Sequence, residues 1–120
     1  MENKEMLGVV LKALDSKKAM DLEAIKIDDI TVLTDYFVIC SGTSTTHVKA
    51  LADEVEYQMK EKLGLDPLHR DGYDGGKWVL LDYSDLMVHV FCEQYRDFYK
   101  LERLWSDGSS VDISEYVEEN

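Results

Sequence analysis

The chain has 120 residues, 45% of them hydrophobic and 10% aromatic, which suffices for one domain with its own core and requires no disulfide or metal staple. Thirteen Lys and Arg against twenty-five Asp and Glu give a net charge of −12, which repels phosphate backbones and anionic lipid, argues against direct nucleic-acid binding and favours a basic protein partner. No stretch approaches the roughly 18 apolar residues of a membrane span, and the N-terminal MENKEMLGVV has no uninterrupted apolar segment of a signal peptide, so a soluble, cytoplasmic protein is expected.

In chain order, residues 3–18 carry Met6, Val9, Val10, Ala13 and Leu14 at helical spacing, which predicts an amphipathic first helix. Asp21 to Ile30 reads as a strand, and Tyr36 to Cys40, aromatic and β-branched on both faces, as a strand covered on both sides. Cys40 and Cys92 sit in apolar runs without a CxxC or zinc spacing and read as buried thiols of a reducing compartment. From Ser44 to Leu63 the set Val48, Leu51, Ala52, Val55, Met59 and Leu63 traces one helix face. Gly64 stands where a left-handed cap ends a helix, and Pro67 blocks continuation. The glycine-rich DGYDGGKW is expected to be a loop. Trp78 to Leu81 and Leu86 to Phe91 then read as a hairpin around Asp82-Tyr83-Ser84-Asp85, with strands apolar on both faces apart from His89. Tyr95, Phe98, Tyr99, Leu101, Leu104 and Trp105 continue at helical spacing to a last helix, so the sheet should have helices against both faces. Residues 106–120 hold five acids and no base, and this acidic tail is expected to fray or pack loosely beyond a domain spanning 1–105.

The segment CSGTSTTH, Cys40 to His47, raises the question of an enzyme. A Gly/Ser/Thr turn between strand and helix offers backbone N–H groups, hydroxyls and the positive end of a helix dipole, which makes Ser41, Gly42, Thr43 and Ser44 a candidate anion site. The same residues suit a plain helix start, with Ser44 or Thr43 as cap. A P-loop needs Lys followed by Ser or Thr after its glycines, and here Thr46 and His47 stand there. A nucleotidyl-transfer site needs two or three carboxylates on a neighbouring strand, whereas Asp82 and Asp85, three apart, face opposite sides of one. No metal, cofactor or catalytic constellation is therefore expected. His47, in a first helical turn, should be neutral and hydrogen-bonded; His89 should be a satisfied sheet histidine. Tyr73, Trp78 and Tyr83 near Asp74, Asp82 and Asp85 fit either a core hairpin or an aromatic docking face rimmed by acids.

DYFVICSGTSTTHVKALADEVE, GGKWVLLDYSDLMVHVF and YRDFYKLERLW, in this order across about residues 4–105, resemble the ribosomal silencing factor family, also called Iojap or RsfS. The resemblance implies an α/β domain, a mixed β-sheet flanked by helices, of the nucleotidyltransferase-like superfold lacking catalytic carboxylates. It implies a translation repressor and not an enzyme, binding large-subunit ribosomal protein fourteen on the free large ribosomal subunit and sterically blocking association with the small subunit. The family's docking surface maps here onto Trp78, Leu81, Asp82, Tyr83, Asp85, Met87, Tyr95, Phe98, Tyr99 and Lys100. Against the pattern of the family it resembles, Ser84 stands at the hairpin tip where many members carry glycine, which leaves the turn type there open. A homodimer of the free protein is compatible with this reading, because an exposed apolar face can self-associate. The alternative is a nucleotide-binding nucleotidyltransferase-type enzyme using the loop at 41–46.

Overall fold

A computed structural model describes residues 3–26, 36–93 and 109–110. Helix α1 (Asn3–Ser16) buries Met6, Leu7, Val10, Leu11, Ala13 and Leu14, the stripe that a 3.6-residue period dictates. It stops because Lys18 turns left-handed at φ 61°, which lets the Ala19 N–H reach the Leu14 carbonyl at 3.1 Å and the Lys18 N–H reach that of Asp15 at 2.9 Å.

Helix α2 (Thr45–Leu63) is bounded as its sequence predicts. Ser44 caps it, its Oγ accepting from the His47 N–H at 3.1 Å. Gly64, at φ 67°, ends it and donates its N–H to the Lys60 carbonyl at 3.0 Å. Val48, Leu51, Ala52, Val55 and Met59 are fully buried, and each of them except the smaller Ala52 is worth about 1.5–3 kcal/mol relative to an exposed side chain.

The strands are β1 (Met20–Lys26), β2 (Tyr36–Gly42), β3 (His69–Asp71), β4 (Trp78–Asp82), β5 (Leu86–Cys92) and the two-residue β6 (Ser109–Ser110), arranged β3-β4-β5-β2-β1-β6 in one mixed sheet. Its centre is the parallel pair β2 and β5, in register from Tyr36 opposite Leu86 to Gly42 opposite Cys92; the other pairs are antiparallel. Central position explains why β2 is buried from Phe37 to Gly42. Cys40 and Cys92 are buried free thiols.

Side-chain alternation splits the interior into two layers. Ala24, Val38, Cys40, Val79, Leu81, Val88 and Val90 face α1 and α2, which pack on the same side of the sheet. Ile25, Phe37, Ile39 and Phe91, joined by Trp78 and Met87, form the layer on the opposite face. The last helix expected to lie against that second face, Tyr95 to Trp105, falls outside the described residues. Ser109 and Ser110, within the stretch expected to fray, pair with Lys26 and Ile25 and so belong to the sheet. β3, of which only Asp71 falls within the stretch expected as loop, pairs with β4 through three residues that are all exposed.

The tip of the β4–β5 hairpin is tight. The Asp82 carboxylate accepts from the Ser84 N–H at 2.8 Å, the Tyr83 N–H reaches the Leu86 carbonyl at 2.9 Å, and Ser84 sits left-handed at φ 72°. A side chain pays steric strain there that glycine does not, which offsets glycine's greater loss of chain entropy. Ser84→Gly is therefore expected to raise the unfolding free energy by about 0.5 kcal/mol. Urea denaturation checks this, and a loss of stability would mean that the serine side chain holds the turn.

Candidate functional site

At the junction of β2 and α2 three backbone donors are used within the chain. The Thr43 N–H donates to His47 Nδ1 at 2.9 Å, the His47 N–H to Ser44 Oγ at 3.1 Å, and the Val48 N–H to the Ser44 carbonyl at 2.9 Å. With Nδ1 accepting, the imidazole proton lies on Nε2, which meets the Lys17 carbonyl at 2.7 Å. His47 thus ties the end of α1 to the start of α2, in the neutral, hydrogen-bonded form expected of it. Ser41 and Gly42 are buried, while Thr43 and Ser44 are exposed. The glycine loop 72–77 lies against the same helix start, since a Cβ added at Gly76 would fall 2.8 Å from Thr45 Cβ.

Asp82 is engaged with Ser84 and Asp85 is exposed in the turn. Among the described residues no group of three or more His, Cys, Asp or Glu side chains could hold a metal ion, and no helix is long and apolar enough to cross a membrane.

Strand parity decides which hairpin residues can meet a partner. Trp78, Leu80, Asp82 and Met87 lie on the face turned away from α1 and α2, each partly exposed. Leu81 and Tyr83, expected among the docking residues, have the opposite parity: Leu81 is fully buried and Tyr83 nearly so, both in the core under the helices. They are withdrawn from any contact surface of the folded chain, and burial pushes the Tyr83 phenol well above its usual range. Leu80 was missed, although counting two residues on from Trp78 finds it. Tyr95, Phe98, Tyr99 and Lys100 lie outside the described residues.

Tyr73 is held on the helix side. Its hydroxyl donates to the Asp53 carboxylate at 2.9 Å, the Arg70 guanidinium lies 4.4 Å from its ring centroid, and Arg70 pairs with Glu56 at 3.1 Å. This fastens the glycine loop to α2 and frames the entry to β4.

At that entry Trp78 stacks on Phe91 with ring centroids 5.2 Å apart, and its indole Nε1–H donates to His89 Nδ1 at 3.1 Å. His89 is 4% exposed, edge-on to Phe37 at 4.8 Å, and its Nε2 has no hydrogen-bond partner among the described residues. Burial pushes its imidazole down to about 4. The expected satisfied sheet histidine is therefore satisfied on one nitrogen.

The arrangement is a β-hairpin whose aromatic, aliphatic and acidic side chains share one face, beside a hydroxyl loop bonded to itself. The family model described as "Ribosomal silencing factor during starvation" matches residues 1–120. The chain belongs to the ribosomal silencing factor family, RsfS or Iojap. It is 38% identical over 113 residues to the ribosomal silencing factor RsfS of Bacillus subtilis, covering 94% of this chain and 95% of that one. The RsfS of Halalkalibacterium halodurans is 37% identical over 113 residues, covering 94% of this chain and 96% of its own. Among solved structures, a crystal structure of a Chromobacterium violaceum protein superposes with a TM-score of 0.85 at 33% identity, covering 95% of this chain and 93% of the other. The resemblance read from the three sequence segments is thus the family of the whole chain, and the mixed sheet with its two helices is shared with that solved structure.

Proposed function

We propose that the chain binds the free large ribosomal subunit through large-subunit ribosomal protein fourteen and blocks association with the small subunit. The observation that carries this reading is the outward face of the β4–β5 hairpin, where Trp78, Leu80 and Met87 lie partly exposed beside Asp82. Aromatic and aliphatic anchors bordered by a carboxylate suit a basic protein surface. The net charge of −12 supports a protein contact over an RNA contact, and the same negative field would oppose an incoming RNA-rich subunit. Occupancy is then the activity, and no bond is made or broken. Self-association of the free protein through this face is part of the reading.

The order strand, hydroxyl loop, helix at β2 and α2 supports reading the sheet as a nucleotidyltransferase-like architecture adapted to binding. The alternative of a nucleotide-binding enzyme at 41–46 is weakened by the internal use of the Thr43 and His47 N–H groups.

The test is cosedimentation with separated subunits followed by a subunit-joining assay. Binding to the large subunit alone with blocked joining is expected. Trp78→Ala should weaken that binding by about 30-fold, the scale of an aromatic anchor worth about 2 kcal/mol. Full binding by a folded Trp78→Ala protein would move the site off the hairpin.

A further inference from the structure

His89 is an expensive residue for its position. It is 4% exposed, packed among Phe37, Trp78 and Phe91, and its Nε2 lacks a hydrogen-bond partner among the described residues. Because Nδ1 accepts from Trp78, the neutral ring must carry its proton on Nε2, so the unpartnered atom is a buried donor. A leucine of similar volume would leave no such donor and would suit the apolar layer of Ile25, Ile39 and Phe91 better. The stability of the sheet therefore gives no account of this side chain.

Its one directed bond does. Trp78 and His89 are diagonal neighbours across the β4–β5 ladder, since Trp78 pairs with Phe91 and Leu80 with His89. Two of the contacts on the indole are directional: Phe91 stacks on its ring, with planes 22° apart, and His89 accepts from its Nε1–H. Stacking fixes the plane of a ring but does not by itself fix its rotation within that plane. A hydrogen bond to a buried, immobile acceptor removes that freedom.

We infer that His89 is a positioning residue for docking: through its Nδ1 it locks the Trp78 indole, before any partner arrives, in the orientation that the ribosomal protein receives. This rests on the docking reading of the hairpin proposed above. Pre-ordering a large side chain in the free protein lowers the entropy lost on association, so the lock acts on affinity without touching the partner.

The experiment measures the affinity of the full chain for purified large-subunit ribosomal protein fourteen, alongside thermal unfolding at neutral pH. His89→Leu removes the acceptor and the orphan donor together and is expected to weaken binding five- to tenfold without lowering the unfolding temperature. His89→Asn puts a carbonyl oxygen where Nδ1 stood and should restore binding to within about twofold of the unaltered chain. Trp78→Phe, which keeps a stacked ring but lacks the N–H, should match His89→Leu. A residue acting only through stability would give the reverse pattern, a lower unfolding temperature with affinity unchanged.

Unchanged affinity in a folded His89→Leu protein, while Trp78→Ala fails to bind, overturns the inference and leaves the docking reading intact. Unchanged affinity in Trp78→Ala overturns the docking reading and the inference with it. A readout that needs no variant is the nitrogen-15 spectrum of the unaltered chain, in which the His89 proton is expected on Nε2 with coupling from Trp78 Nε1–H to Nδ1; a proton found on Nδ1 overturns the lock.

Discussion

Acidification from about pH 6.5 to about pH 4 is expected to cost the folded chain about 3 kcal/mol through one side chain, His89. In the folded state the imidazole is lowered to about 4 because burial strips a charged ring of its hydration, and its aromatic neighbours Phe37, Trp78 and Phe91 carry no counter-charge. In the unfolded chain it titrates near its ordinary value of 6.5. Between those values the unfolded chain holds a proton that the folded chain excludes, so stability rises with pH across the window. The contribution is fully present above about 6.5 and is lost as the pH falls towards 4.

Carboxylates titrate in the same range, so the measurement is a difference. Urea midpoints at pH 7 and pH 4.5 are compared for the unaltered chain and His89→Leu. The variant should lose the smaller part of its stability on acidification. At pH 7 the two should lie within about 1 kcal/mol, since leucine removes one unpaired donor and leaves the Trp78 Nε1–H without its acceptor. Equal acid losses in both proteins would place the effect elsewhere.

What could be read from the sequence was whatever repeats along one element. Helix α2 was legible with both ends because Ser44, Gly64 and Pro67 punctuate a periodic apolar stripe. β2 was legible as a doubly covered strand because YFVIC has no polar position, and the hairpin because a polar tetrapeptide interrupts two apolar runs. β3 was not, since His69, Arg70 and Asp71 are all exposed and carry no alternation; the strand exists through its pairing with β4. β6 escaped for the same reason, being two serines held by Lys26 and Ile25.

The candidate site was legible in composition and half legible in orientation. The hairpin stood out by its aromatic and acidic residues, but a docking set that joined Trp78 and Asp82 with Leu81 and Tyr83 mixed two parities, and the covered pair went to the core. The bond between Trp78 and His89 depends on the diagonal set by strand register, which no local pattern encodes. Likewise His47 could be read as a neutral helix-start histidine, whereas its link to Lys17, thirty residues away, comes from the packing of α1 beside α2.

The other large effect expected is at Gly72, where alanine should cost about 3 kcal/mol against about 1 kcal/mol for alanine at Gly64. Both glycines are left-handed, at φ 80° and 67°, so both substitutions carry the strain of a Cβ in that region. They differ in surroundings. A Cβ at Gly64 meets nothing within 4 Å, whereas one at Gly72 would lie 2.0 Å from the Trp78 carbonyl oxygen, a backbone atom that rotamer change cannot move. Relief requires β4 to shift at its first residue or the loop to leave α2, breaking the Tyr73 to Asp53 bond and the packing of Gly76 on Thr45. Either route disturbs Trp78, so Gly72→Ala should also weaken binding to the ribosomal protein, while Gly64→Ala should leave binding unaltered. Denaturant unfolding and the binding assay on the same two variants separate the strain they share from the clash that only one has. Equal costs in both assays would mean that the glycine loop rearranges freely and does not brace the entry to β4.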